Sequence, residues 1–249
     1  MKAALVTGGA RRIGRALARG LAADGWAVAV HYGTSEEAAR DTVAAIEAAG
    51  GRAAAIQADL ADASDVMRLG AAAADLFGPL TLLVNNASLF EEDDAATVTA
   101  EIFDAHMAVN LRAPLLLARA FADGLAAGAD GNIVNIIDQR VWRPTPRFLS
   151  YTASKAGLWT VTRTLAQALA PRIRVNGIGP GPVLANARQG EAAFSAQVRA
   201  VPLGRGPDMA ELQRAIRFIV ETPSLTGQML ALDGGQHLAW ETPDATGPE

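Results

Sequence analysis

The chain has 249 residues, half of them hydrophobic and 19% charged, which is enough apolar material for the core of one large α/β domain and argues against global disorder. A formal net charge of −4 argues against a protein whose main task is to hold a nucleic-acid backbone, and the absence of cysteine excludes disulfides, thiolate metal sites and a cysteine nucleophile. No window approaches the roughly 20 apolar residues of a membrane span, and the apolar run Ala3–Thr7 is too short for a signal-peptide core, so a soluble cytoplasmic protein without a membrane or nucleic-acid partner is expected.

Short β-like runs alternate with longer helical ones. Ala3–Thr7 reads as a strand, Ile13–Asp24 as a helix and Ala27–His31 as a strand; Glu36–Ala49 is helical by its apolar spacing and stops at Gly50-Gly51. Arg52–Gln57, Thr81–Val84 and Ile133–Ile137 are further strands bounded by turn residues, with helices over Asp62–Phe77, Ala100–Ala127, Tyr151–Ala170 and Met209–Val220. Ile173–Ile178 and Gln228–Leu232 complete the strands. This alternation predicts a single-domain α/β Rossmann fold over residues 1–240, a doubly wound parallel sheet of seven strands with helices on both faces. The polar, breaker-rich tail 241–249 is expected to be disordered.

The turn Thr7-Gly8-Gly9-Ala10-Arg11-Arg12-Ile13-Gly14 joins the first strand to the first helix. Gly8 and Gly14 permit a tight turn and close backbone approach, which lets the helix N-terminus face a pyrophosphate. A site selecting NAD usually carries an acid at the end of the second strand, to accept from the ribose hydroxyls. Here Val30-His31-Tyr32-Gly33-Thr34-Ser35 has no acid before Glu36, whereas Arg11 and Arg12 could reach a ribose 2′-phosphate and Thr34 and Ser35 could add hydroxyl donors. NADPH is therefore the expected cofactor, with Ile13, His31 and Tyr32 also counted among its contacts; the alternative for the two arginines is that they are merely solvated residues at a helix start.

Tyr151-Thr152-Ala153-Ser154-Lys155 opens a helix and places a phenol and an ammonium on one face. A free tyrosine ionises near 10, too high for a good proton shuttle at neutral pH, and a neighbouring cation favours the phenolate. Together with Asp59-Leu60, Asn85-Asn86-Ala87, Asn110, Pro180-Gly181, Thr226-Gly227-Gln228 and Asp233-Gly234-Gly235, each after its expected element, these motifs make the chain resemble the short-chain dehydrogenase/reductase family as far as about Leu238. The resemblance implies that Asp59 and Leu60 hold the adenine, Asn86 and Ala87 lie beside the cofactor ribose, Lys155 binds the nicotinamide ribose and Asn110 anchors a proton-relaying water chain. It also puts Pro180 and Gly181 at the cofactor, and a homotetramer is common in the family.

One position departs from the family pattern. Thirteen residues before the tyrosine the family carries a serine, which binds the substrate carbonyl; here Asp138 stands there. A carboxylate cannot donate a hydrogen bond to a carbonyl. It suits a substrate whose ring nitrogen needs a proton, shared between Asp138 and Tyr151. This substitution is similar to the pteridine reductase branch, which includes dihydromonapterin reductases. Arg11-Arg12, Asn85-Asn86-Ala87-Ser88, His31-Tyr32 and Phe90 agree with that branch, Phe90 being expected to stack on a pterin ring. Gly33-Thr34 differs from its usual basic residue, and Arg140-Val141-Trp142-Arg143-Pro144 has no counterpart recognisable in it.

The expected reaction is hydride transfer from NADPH to a pterin or dihydropterin C=N bond, with Tyr151 coupled to Asp138 as proton donor and Arg11, Ser88 and Phe90 touching the substrate. Phe90 could instead be an ordinary core aromatic, and Asp138 a residue capping a neighbouring amide. The alternative activity is reduction of a carbonyl or 3-oxoacyl thioester; a nucleotide-binding sensor without chemistry is a third reading. Leu184–Ala200 is expected to form a mobile lid, and His237 and Trp240 to reach a neighbouring subunit or pack in the core.

Overall fold

The computed structural model describes residues 2–185 and 190–239, so Trp240, the tail 241–249 and part of the expected lid lie outside the described residues. The elements are β1 (Ala3–Val6), α1 (Arg12–Ala23), β2 (Ala27–Tyr32), α2 (Glu36–Ala48), β3 (Arg52–Gln57), α3 (Ala63–Phe77) and β4 (Leu82–Asn85). They continue as α4 (Ala100–Met107), α5 (Ala113–Gly124), β5 (Gly131–Ile136), α6 (Leu149–Leu169), β6 (Ile173–Pro180), α7 (Glu191–Arg199), α8 (Met209–Glu221) and β7 (Met229–Leu232).

All seven strands pair in parallel, in the order β3-β2-β1-β4-β5-β6-β7. Alternate strand residues divide between two cores. Ala4, Val6, Val28, Val30 and Val84 pack against α1, α2 and α8, while Ala3, Leu5, Ala29, Leu83 and Ile133 pack against α3, α5 and α6. Both faces being covered explains the nearly continuous apolar strands. The chain winds outward from β1 to β3 and then returns to β4 on the other side of β1. At the paired C-terminal ends of β1 and β4 the chain departs toward opposite sides, which is the topological switch point where such sheets form their crevice.

The helix expected over Ala100–Ala127 is not continuous. A wide π-turn spans Ala108–Arg112 between α4 and α5, and the Ala113 amide reaches back to the carbonyl of Ala108. The cause is Pro114, which has no N–H to give Asn110 and whose ring would clash with that carbonyl in a regular helix. The expanded turn absorbs the misfit and leaves Asn110 fully buried. In the segment expected to be a lid, Glu191–Arg199 forms α7.

Candidate active site

The glycine turn is packed to its limit. Gly8 has φ of +61°, a left-handed conformation that favours glycine, and a side chain at Gly14 would put its Cβ 2.1 Å from the Gly8 carbonyl oxygen and 2.5 Å from Asn86 Nδ2. Gly14→Ala is expected to cost about 1–3 kcal/mol. A urea titration checks it, and an unchanged midpoint would mean that the turn yields freely. This close approach, at the N-terminus of α1 whose first-turn amides have no partner within the helix, fits a dinucleotide pyrophosphate.

His31 takes a different part from the one expected. It is buried, its Nδ1 accepts the Gly8 amide at 3.1 Å and its Nε2 lies 3.1 Å from the Ala58 carbonyl oxygen. Those partners require a neutral ring protonated at Nε2, in keeping with burial holding its pKa below the usual histidine value. His31 is thus a strut between the ends of β2, β3 and the glycine turn, with both ring nitrogens already engaged. Arg12 stands at the start of α1 with φ of +51°, uncommon for a residue other than glycine, and its guanidinium donates to the carbonyls of Leu184 (3.1 Å) and Ala185 (2.6 Å). Arg11 and Thr34 are exposed, and Ser35 precedes α2 without capping it, so its hydroxyl is not tied to that helix. Tyr32 is half-buried at the end of β2. Asp59 folds back to accept the Ala61 amide at 2.8 Å, beside a buried Leu60.

At the end of β4, Asn86 Nδ2 donates to the carbonyls of Thr7 (2.9 Å) and Gly8 (3.2 Å), while Thr7 Oγ1 accepts the amides of Asn86 (2.9 Å) and Ala87 (3.1 Å). The two loops of the crevice are thereby laced together. Asn110 extends the lacing: its Nδ2 donates to the Leu89 carbonyl (2.9 Å) and Ser154 Oγ (3.0 Å), and its Oδ1 accepts from the Leu89 amide (2.8 Å) and Ser88 Oγ (3.3 Å). It positions the loop after β4 against α6.

Asp138 and Tyr151 meet as expected. The strand β5 ends just before Asp138 and α6 opens just before Tyr151, whose hydroxyl donates to Asp138 Oδ2 at 2.9 Å. Asp138 Oδ1 accepts the Arg140 amide at 2.7 Å, so the carboxylate also caps the short turn Gln139–Val141. The capping and catalytic readings of Asp138 are compatible. Lys155 is buried, donates to the Ile136 carbonyl at 2.8 Å, and has its pKa lowered by burial to about 8. Its Nζ lies 5.8 Å from the Tyr151 ring centre. The expected depression of the phenol by Lys155 is not met in this geometry. Burial first, then the charge and hydrogen bond of Asp138, hold the phenol well above its ordinary value, and the cation pulling it down is Arg140. As arranged, the phenol stays protonated and bonded to Asp138.

Helix α6 is fixed by contacts that local sequence patterns did not disclose. Asn85 Nδ2 donates to Asn135 Oδ1 and Asn135 Nδ2 to Thr162 Oγ1, each at 2.8 Å, a buried polar ladder from β4 through β5 to α6. The buried carboxylate of Asp93 accepts from the Ser150 amide and hydroxyl, while its carbonyl accepts the Phe148 amide at 2.6 Å. Phe148 is thereby held at φ of +60°. Its ring stacks on Phe90 with centres 4.4 Å apart and planes 5° apart, and Phe90 meets Tyr151 edge-on at 4.6 Å. One face of Phe90 is thus already occupied by Phe148. Ser88 is exposed on the same loop. Asp138, Tyr151, Phe90, Phe148 and Arg140 line a cavity of about 880 Å³, which Pro180 and Gly181 close from the end of β6.

A parallel sheet with this strand order, its crevice at the β1–β4 switch point and a Tyr/Lys pair beside it belong to a family of nicotinamide-dependent oxidoreductases. The short chain dehydrogenase family model matches residues 2–195, and the chain belongs to that family. Among solved structures it is similar to FolM alternative dihydrofolate reductase 1 from Brucella suis in complex with NADP, at 51% identity over 98% of both chains with a TM-score of 0.95. The Brucella canis counterpart complexed with NADP is 50% identical over 99% of this chain and 98% of that one, with a TM-score of 0.93. A curated relative, the 3-oxoacyl-[acyl-carrier-protein] reductase of Synechocystis, is 35% identical over 93% of this chain and 95% of its own length.

Proposed function

We propose that the protein is an NADPH-dependent reductase of a C=N bond in a pterin or dihydropterin. The observation that carries this reading is the carboxylate of Asp138, where the family pattern has serine, bonded at 2.9 Å to the Tyr151 hydroxyl. The similarity to two proteins described as alternative dihydrofolate reductases supports the same substrate class. The turn Gly8–Gly14 would receive the pyrophosphate, Arg11, Arg12, Thr34 and Ser35 the 2′-phosphate, Asp59 and Leu60 the adenine, and Asn86, Ala87 and Lys155 the riboses. When bound, the dihydronicotinamide supplies a hydride, the electron pair of its C–H bond, to the ring carbon of the C=N bond.

Tyr151 Oη gives its proton to the ring nitrogen, so that one hydride and one proton complete the reduced C–N bond. The donor is left a phenolate beside Asp138, and two such charges 2.9 Å apart repel by roughly 5–6 kcal/mol at an effective dielectric constant of about 20. That repulsion makes the ionised pair costly and favours its reprotonation from solvent, with Asp138 sharing the incoming proton. Phe90 and Phe148 provide a flat apolar wall suited to a heteroaromatic ring.

Reduction of a carbonyl or 3-oxoacyl thioester is the second reading, favoured by the occupied face of Phe90 and by the 3-oxoacyl reductase relative. Consumption of NADPH with dihydrobiopterin, dihydromonapterin, dihydrofolate and a set of ketones and 3-oxoacyl thioesters separates the two. Turnover of at least one dihydropterin is expected. Brisk ketone reduction with no turnover of any pterin would reverse the order of the readings.

A further inference from the structure

Resting on the assignment of Tyr151 as proton donor, the geometry points to Arg140 as the positioning residue that Asp138 makes necessary: a fixed cation that offsets the carboxylate while the proton leaves the phenol. Arg140 belongs to the loop between β5 and α6 that no family motif explained. Its backbone amide is bonded to Asp138 at 2.7 Å, so its place is tied to that carboxylate. Its guanidinium carbon lies 5.1 Å from the ring centre of Phe148, which stacks on Phe90, which in turn meets Tyr151 edge-on. Nη1 donates to Thr145 Oγ1 at 3.2 Å and to the Arg147 carbonyl at 3.5 Å, and Nε, buried on the cavity wall, has no hydrogen-bond partner among the described residues.

An unpaired buried donor carries a desolvation cost, so a guanidinium placed this way needs a compensating role. The chemistry supplies one. With serine at position 138, ionising the tyrosine would leave one negative charge at the site; with aspartate it leaves two. Lys155 is coupled to the Asp138 charge but is held by Ile136, and burial lowers its pKa to about 8, so its charge is lost as pH rises through that value. A guanidinium stays charged throughout the working pH range. The other charged groups in and around this cavity do not replace it: Arg147 is paired with Glu92, Arg12 is bonded to the Leu184 and Ala185 carbonyls, Asp93 is bonded to Ser150, and His106, 6.4 Å from the Tyr151 ring, accepts the Glu91 amide through Nε2.

Arg140→Met keeps the length of the side chain and removes its charge, whereas Arg140→Lys keeps the charge and loses the planar stack. Steady-state kinetics on any substrate that the parent reduces should show kcat falling about tenfold in Arg140→Met, with KM within about twofold, and recovering to within about threefold of the parent in Arg140→Lys. Phe148→Ala should change KM more than kcat. An unchanged kcat in Arg140→Met, equal losses in the Met and Lys variants, or a kcat loss in Phe148→Ala matching that of Arg140→Met would each overturn the proposal. Arg140→Gln, with thermal melting of every variant, provides the comparison if the Met variant does not fold. A parent that reduces only ketones would remove the pterin reading and leave this comparison intact.

Discussion

Replacing Tyr151 with Phe is expected to lower kcat by about 10²–10⁴ while leaving the fold and the cofactor site in place. The substitution removes one oxygen. The ring, which meets Phe90 edge-on and lies 6.4 Å from His106, keeps its packing, and Lys155 keeps its bond to Ile136. What disappears is the hydroxyl whose oxygen lies 2.9 Å from Asp138 Oδ2, and with it the proton. NADPH affinity, read by fluorescence titration, should stay within about fivefold of the parent, a difference of roughly 1 kcal/mol. A variant that retains a tenth or more of the parent kcat would mean that the proton comes from elsewhere, and the central pair would lose its role.

Asp138→Ser carries the second large effect and has opposite signs for two substrate classes. A serine hydroxyl can donate to a carbonyl, which the acceptor-only carboxylate cannot. It also removes the negative charge that, after burial, does most to hold the Tyr151 phenol high. Reduction of a dihydropterin should therefore fall about 100-fold in kcat/KM, because the group that shares the ring-nitrogen proton has gone, while reduction of an activated ketone should hold or rise. Equal losses on both substrates would reduce Asp138 to its capping bond with the Arg140 amide.

The parts of this arrangement that were legible in the sequence are those set by periodicity and by short spacings. The alternation of apolar strands with helices predicts the seven-stranded parallel sheet because each strand is buried on both faces and each helix on one. Asp138 and Tyr151 could be paired because a strand end and the following helix start bring together two residues thirteen apart in sequence. The π-turn was harder to see. Pro114 signalled a disturbance inside an otherwise periodic helix, but its resolution as an expanded turn depends on α6 and the loop after β4, which Asn110 fastens. His31 looked like a cofactor residue because it lies at the end of β2; its burial, and the amide and carbonyl that flank it, exist only once β3 is in place. Phe148 and Arg140 lie in a loop whose path is dictated from 57 residues away, by the bonds of Asp93 to Phe148 and Ser150, and no local pattern reports such a bond.

Hydride transfer to a ring carbon of a C=N bond leaves an isotopic mark on the product. Supplying NADPH deuterated at the transferable position of the nicotinamide, together with a dihydropterin, and analysing the product by mass spectrometry tests that transfer directly. A single deuterium on the pterin ring carbon next to the newly protonated nitrogen is the predicted result. An unlabelled pterin, alongside deuterium delivered to the carbinol carbon of a ketone under the same conditions, would contradict the account.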